Sequence, residues 1–432
     1  MKQIHQNAAG IDIGSRKVFV AIEGEDVQSF ETFTSDFIKL SKYLKLKKIE
    51  TVAMEATGVY WVILFDILVK AGFDVWLVDG RQTKQVPGRK TDVKDCQWIQ
   101  QLHSFGLFKR CFVAEGDLKE LRSYQRVRED HIRSSAMHIN HMQKALIEMN
   151  IRLPEVLSQT SGASGLAIIS AILSGERDKH VLLSLCHKSI IKNKSNEVIK
   201  ALEGFYTSSG LFQLKQAYDA YYFYQQQIAD CDSEISKMFV IINKKEPEET
   251  TLKRKPIRHH RPEVKSLGSH MLTIFEGRDA TILPAFTDYT WFRLYSETGS
   301  DLTRWPSEKH FTSWLGLSPG QKDSGKKKKS IKKGRPKAGQ IFREMAQSLL
   351  NSKKIALGAF GRRIRSRKGP GVAVKATARK LAVLYWRLMV NGNDYAEKGV
   401  ANYEEILKLQ RQKYLKKLAE ELNVELVFNS ES

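Results

Sequence analysis

The order of apolar runs predicts an α/β domain at the N-terminus, then a long helical arm, then a small, mostly α-helical C-terminal domain. Three observations carry this expectation. Residues 10–78 alternate short strand-like and helix-like runs in the order β-β-β-α-β-α-β, which fits a layered α/β fold with a mixed sheet. Two later stretches repeat apolar residues at alternating three and four spacing, the signature of long paired helices. Beyond residue 266 the chain is rich in aromatics and then in Lys and Arg.

Residues 10–22 read as a strand, interrupted at Gly14 and resumed at VFVAI, with Glu23 and Gly24 marking a turn. VQSFETFTS continues the meander. Ile38 to Leu46 reads as a short amphipathic helix, TVAME (51–55) as a buried strand ending in Glu55, Val59 to Ala71 as a helix, and 74–78 as a further strand. A polar loop at 88–91 precedes a helix from Asp92 to Leu102. The first seam runs through Leu118, Leu121, Gln125, Arg128, Ile132, Ser135, Ile139, Met142, Leu146 and Met149. The second runs from Leu211 through Gln225 and Asp232 to Ile242. Both have polar residues in the middle, and they suit an antiparallel, coiled-coil arm or a dimer contact, with an ordinary helical bundle as the alternative. Residues 243–266 are polar and charged and read as a linker. After it, Trp305, Phe311, Trp314 and Leu315 are the expected core of a small domain, helices are expected near 338–352 and 372–390, and residues 403–426 read as a terminal amphipathic helix. The expected divisions are 1–112, 113–242, 243–266, 267–395 and 396–432.

The chain has 432 residues, a formal net charge of +22 and a pI near 9.6. Such a balance points to a polyanionic partner. From Lys322 to Arg387 there are 21 Lys and Arg against two acids, so one segment carries nearly all of the excess. The four cysteines, Cys96, Cys111, Cys186 and Cys231, form no CxxC pair; a zinc cluster or disulfide framework is not expected. The N-terminus lacks the apolar core of a signal peptide, and no run reaches the roughly 18 apolar residues of a membrane span. The expectation is a cytoplasmic, nucleoid-associated protein with no membrane partner.

Four acids stand out: Asp12 in the first strand, Glu55 at the end of TVAME, and Asp92 and Asp95 three apart on a helix. Residues at i and i+3 share a helix face. Hard carboxylate oxygens gathered at one sheet edge suit Mg²⁺, or Mn²⁺, and two-metal phosphodiester chemistry. Taken singly, each acid could be a turn, strand-end or capping residue. Gly14 and Gly58 are expected to leave room beside the acids. GIDIGSRK matches neither the P-loop nor the dinucleotide pattern. A sugar-kinase-type phosphate loop is the competing assignment, but it leaves Asp92, Asp95, the arm and the basic run unexplained.

The segment from Lys322 to Lys337 holds nine Lys and Arg in 16 residues. Lys326, Lys327, Lys328, Lys329, Lys332, Lys333 and Arg335 are candidate nucleic-acid contacts, extended by Arg362 and Arg363 in GRRIRSRKGPG. Ser324 lies beside this run. Local chemistry favours a turn or phosphate-contact role for it, with Ser318 and Ser330 equally open.

GIDIGSRK, AMEATGVYW and GRKTDVKDCQWIQQLHSFGL, with LTRWPSEKHFTSWLGLSPGQKDSGKKKKSIKKG downstream, give a pattern that spans most of the chain. It resembles the IS110/IS1111-type transposases, described as bridge-RNA-guided DNA recombinases. The resemblance implies a RuvC-like, ribonuclease-H-like N-terminal domain with its acidic tetrad at Asp12, Glu55, Asp92 and Asp95. It implies a second domain whose serine falls on Ser324, acting as nucleophile through a serine–DNA covalent intermediate. It further implies Mg²⁺, donor and target DNA, an element-encoded guide RNA, and a homo-oligomer, a dimer assembling to a tetramer. A RuvC-like, structure-specific nuclease using metal-activated water is the alternative; a catalytically inactive nucleic-acid binder is a third reading. Two positions depart from the family pattern. The alanine of the KTDxxDA helix is Cys96, and the stretch matching its PGIG-like hairpin is IFEGRDA, residues 274–280.

Overall fold

The computed structural model describes residues 2–83, 92–252, 260–319, 336–353 and 355–424, with side chains omitted at 393–403 and 407. The chain divides into two compact units, Met1–Val113 and Ala114–Ser432.

The first unit follows the expected order. Its elements are β1 (Ala8–Ile13), β2 (Lys17–Ile22), β3 (Gln28–Glu31), α1 (Thr34–Leu46), β4 (Thr51–Glu55), α2 (Trp61–Lys70), β5 (Asp74–Val78), α3 (Gly80–Thr83) and α4 (Asp92–Ser104). The strands form one sheet in the order β3-β2-β1-β4-β5. β1, β2 and β3 pair antiparallel as a meander, and β1 with β4 and β4 with β5 pair parallel. This mixed sheet with flanking helices is a ribonuclease-H/RuvC-like fold with helical extensions.

Side chains alternate across a strand, and here the alternation separates packing from chemistry. Ala9, Ile11 and Ile13 of β1 join Val52 and Met54 of β4 and Val75 and Leu77 of β5 in one buried layer with Phe37, Leu40, Leu64 and Leu68 of α1 and α2. The opposite face packs Ala53 and Val78 against Ile99 and Leu102 of α4. Gly10 and Asp12 belong to this second face. Gly14 donates its N–H to Lys17 O at 3.0 Å in the β1–β2 turn, and Gly58 sits at φ +55°. Both glycines therefore serve backbone geometry rather than clearing space beside the acids.

The second unit begins with α5 (Gly116–Glu148), followed by α6 (Leu153–Val156), α7 (Ala163–Leu173), α8 (Lys179–Ser184), α9 (Lys188–Ala201) and α10 (Ser208–Asn243). The two long seams pair within the chain. Met149, just past α5, meets Gly210 near the start of α10. Gln225 donates to Ser135 Oγ at 2.8 Å, and Arg128 pairs with Asp232. Rising numbers on α10 meet falling numbers on α5, so the pair is antiparallel. The polar middle of the seam is this set of paired groups, with Arg128, Ser135 and Asp232 buried and Gln225 exposed. Arg128 also donates to His260 O at 2.9 Å and to Tyr289 Oη at 3.2 Å. Small helices close the other end, with Ile168, Ile172, Leu182 and Val198 against Met142, Leu146 and Leu214.

The remaining elements are α11 (Leu267–Ile274), a 3₁₀ turn (Ala280–Ile282), α12 (Asp288–Thr298), α13 (Glu308–Trp314), α14 (Lys337–Asn351), α15 (Ala356–Lys368), α16 (Pro370–Asn391) and α17 (Asn393–Leu422). Trp305, Phe311 and Leu315 are buried as expected, joined by Phe286, Phe342 and Tyr385, with Phe286 and Tyr385 stacked at 5.3 Å. The described parts of 243–266 are docked: Thr250 N donates to Ser269 Oγ at 2.9 Å, and Glu263 N to Asp232 Oδ2 at 3.1 Å. Among the described residues no helix is long and apolar enough to cross a membrane, and the four cysteines are free thiols.

Candidate metal centre

Asp12 stands on β1, whose last paired residue against β4 is Ile11, opposite Met54. One step further, Asp12 and Glu55 occupy neighbouring positions at the C-terminal edge of two parallel strands. Asp92 and Asp95 lie in the first turn of α4, where the helix dipole favours carboxylates. The helix comes close because β1 carries no side chain at Gly10: a Cβ there would collide with the backbone of Cys96 and Gln100 on α4. That approach delivers the first turn of α4 to the strand end. Carboxylate oxygens of Asp12, Asp92 and Asp95 lie within 4.8 Å of one another, with Asp12 and Asp95 half-buried and Asp92 exposed. Three hard anionic donors at this separation fit a divalent Mg²⁺ or Mn²⁺ ion.

Glu55 is placed differently. Its carboxylate accepts a 2.5 Å hydrogen bond from Thr83 Oγ1 and lies against Gly80 of α3. It stands apart from the three-aspartate group, so the expected tetrad is observed as three aspartates with a glutamate held at the adjacent strand end. Asp79, just past β5, is a fifth acid on this edge; Arg81 engages it, with Nε donating to Oδ1 at 2.9 Å. Cys96 is fully buried beneath the site and donates to Val93 O at 3.1 Å. Burial, reinforced by the negative charge of Asp12, pushes its thiol up to about 12. It is a packing residue.

Two models of known families match the chain. One, described as a transposase of the DEDD IS110 type, covers residues 9–151, and the other, described as transposase IS116/IS110/IS902 family, covers residues 281–360. This chain belongs to the IS116/IS110/IS902 transposase family. Comparison with curated proteins found no match. For a member of this transposase family, the first match contains all three clustered aspartates and Glu55, and the second contains the serine-bearing basic segment.

The serine-ester scheme expected from the sequence is corrected by this geometry. A compact Asp12/Asp92/Asp95 cluster in a RuvC-like fold is consistent with a metal-dependent catalytic site, and it favours metal-activated hydrolysis over RNA-guided strand exchange through a Ser324–DNA ester. A cation site that activates water needs no protein nucleophile. Ser324 and the lysines from Lys326 to Lys333, with Arg335, lie outside the described residues.

Two other candidates receive local assignments. Arg362 donates from Nη1 to Leu350 O at 3.2 Å and to Ser352 O, closing the C-terminal end of α14. Its guanidinium is engaged in the fold, where a nucleic-acid contact was expected. Arg363 is exposed, with Nη1 3.4 Å from Gln410 Oε1 of α17. The IFEGRDA stretch does not form a phosphate-binding hairpin. Gly277 N and Arg278 N donate to Leu272 O and Phe275 O, and Asp279 caps the 3₁₀ turn through Thr281 N at 2.7 Å. The loop spends these N–H groups on the chain itself.

Sequence reasoning missed Gly10, although a glycine inside a strand is a recognised signal of close backbone approach. It also missed Thr83, whose link to Glu55 crosses 28 positions and has no local signature.

Proposed function

We propose that this transposase is a metal-dependent DNA nuclease whose N-terminal unit cuts phosphodiester bonds with water, acting on DNA of particular structure at element ends. The single observation that carries this is the convergence of Asp12, Asp92 and Asp95 within 4.8 Å. A divalent cation held there would supply Lewis acidity and lower the pKa of water at the scissile phosphate. The chain's own contribution is positioning. β1 fixes Asp12, and α4 fixes Asp92 and Asp95 as a rigid pair. Glu55 is held outside that group at the adjacent strand end by its 2.5 Å hydrogen bond from Thr83.

The finer partners belong to the same proposal. Donor and target DNA are the substrates, and the strongly basic second unit, Arg363 included, grips their backbones. An element-encoded guide RNA and a homodimer or tetramer are implied by the family resemblance and compatible with the basic charge.

The test is cleavage of labelled duplex, forked and four-way-junction DNA with Mg²⁺, Mn²⁺ or EDTA. Cleavage with the cations, its absence in EDTA and its loss in Asp12→Asn are expected. Cutting that persists in EDTA or in Asp12→Asn contradicts the assignment.

A further inference from the structure

A second site lies far along the chain from the aspartates, on the surface of the second unit between α15 and α16. It is a groove of about 700 Å³ lined by Phe360, Gly371, Val372, Ala376 and Val383, by Leu317 and Pro319 at one end, and by Lys375, Arg379 and Lys380. Three features define its chemistry. Its floor is apolar and open, with Val372 48 % exposed. Among the described residues its charged lining is cationic, with Lys375, Arg379 and Lys380 and no acid. One cation is fixed over the aromatic ring, with Lys380 Nζ 4.1 Å from the Phe360 centroid, a cation–π contact that holds an ammonium group against an apolar surface.

An apolar floor with a purely cationic rim is matched by a ligand that carries flat apolar faces and closely spaced anionic groups. Single-stranded nucleic acid has this pattern, and proteins that bind it combine a basic track with apolar or aromatic platforms. Duplex DNA does not, since the flat faces of its bases are stacked inside and only base edges, sugars and phosphates reach its surface. The Ser318 hydroxyl, between the lining residues Leu317 and Pro319, is buried without a hydrogen-bond partner among the described residues.

We propose that this groove holds an unstacked base of single-stranded DNA, with Lys375, Arg379 and Lys380 on its flanking phosphates. The choice of DNA rests on the metal-nuclease reading above. A cut or opened duplex exposes unpaired bases, and a site for one would keep the strand from re-pairing. Arg379 and Lys380 would set the affinity, and the apolar floor would make it depend on the presence of a base.

The experiment is fluorescence anisotropy in EDTA at fixed moderate salt, with a labelled single-stranded DNA and the same oligonucleotide made abasic at its central positions. The intact protein is expected to bind the natural strand about tenfold more tightly, the size of one lost base contact. Phe360→Ala and Val372→Asp should both lose that preference, with Phe360→Ala retaining the abasic affinity. Val372 is exposed, so its variant keeps the test open if Phe360→Ala does not fold. Equal binding of natural and abasic strands by the intact protein overturns the proposal, as does full preference in folded Val372→Asp. Tighter binding of an RNA of the same sequence overturns the DNA assignment. Cleavage plays no part in this assay. Asp12→Asn that still cuts DNA would sink the nuclease reading and leave the groove standing, and equal binding of the two strands would do the reverse.

Discussion

Gly10 on β1 stands directly against the backbone of Gln100 on α4, so close that a Cβ at position 10 would overlap the Gln100 amide. The contact is backbone on backbone, and no side-chain rotation can relieve it. Gly10→Ala must therefore push α4 outward and carry Asp92 and Asp95 away from Asp12. Overpacking of this kind destabilises by about 1–3 kcal/mol. Circular dichroism melts should show that loss, and metal-dependent cleavage should fall much further than the melting temperature alone would explain.

The three clustered carboxylates repel one another when no cation is present. Asp12→Asn removes one charge, so it should melt at the same or a higher temperature than the parent in EDTA. Added Mn²⁺ should raise the parent's melting temperature, by the equivalent of about 2.7 kcal/mol at a hundredfold excess over the dissociation constant, and leave Asp12→Asn unmoved. Glu55→Gln should retain part of the shift, because the Glu55 carboxylate is engaged by Thr83 at 2.5 Å.

Arg128 is 1 % exposed and Asp232 4 %. Removing one partner of such a buried pair strands the other charge and costs about 3–5 kcal/mol. Arg128→Met is expected to show a loss of that size in urea denaturation. The double variant Arg128→Met with Asp232→Leu should recover part of it. Recovery stays partial because His260 O and Glu263 N lose their partners as well.

His103 is fully buried, bonded through Nε2 to Thr51 Oγ1 at 2.9 Å and stacked on His5. Burial, aided by the nearby His5, holds its pKa down to about 4. Below pH ~6.5 the unfolded chain takes up a proton that the folded chain refuses until about 4. Stability is therefore fully present above that window and falls as pH drops through it, by at most about 3 kcal/mol. Urea midpoints measured from pH 7.5 to 4 should show the decline, and His103→Gln should flatten it.

The order of strands and helices along the chain was readable because its signals are local: period-two alternation in VFVAI, a buried TVAME run, and turns at Gly14 and Gly24. Asp92 and Asp95 lie on one helix, as their spacing indicated. The two seams were readable, with an antiparallel arm as one of the arrangements they allowed, and two of their polar pairs, Ser135 with Gln225 and Arg128 with Asp232, join α5 to α10. What was not legible depends on contacts between distant residues. A lysine-rich or arginine-rich run looks the same whether its groups meet phosphate or cap a helix, so nothing in the sequence indicated that Arg362 Nη1 closes α14. GRRIRSRKGPG concealed α15 for the same reason. The chemistry at Ser324 came from resemblance, and only the arrangement of the aspartates separates water from serine as the attacking group.

That separation is also the most direct measurement. DNA cleavage run in ¹⁸O-enriched water with Mg²⁺, quenched in denaturant, should yield free strands whose new terminal phosphate carries one ¹⁸O by mass spectrometry. Ser324→Ala should give the same products. A DNA end that remains attached to the protein after denaturation, and disappears in Ser324→Ala, would contradict the account.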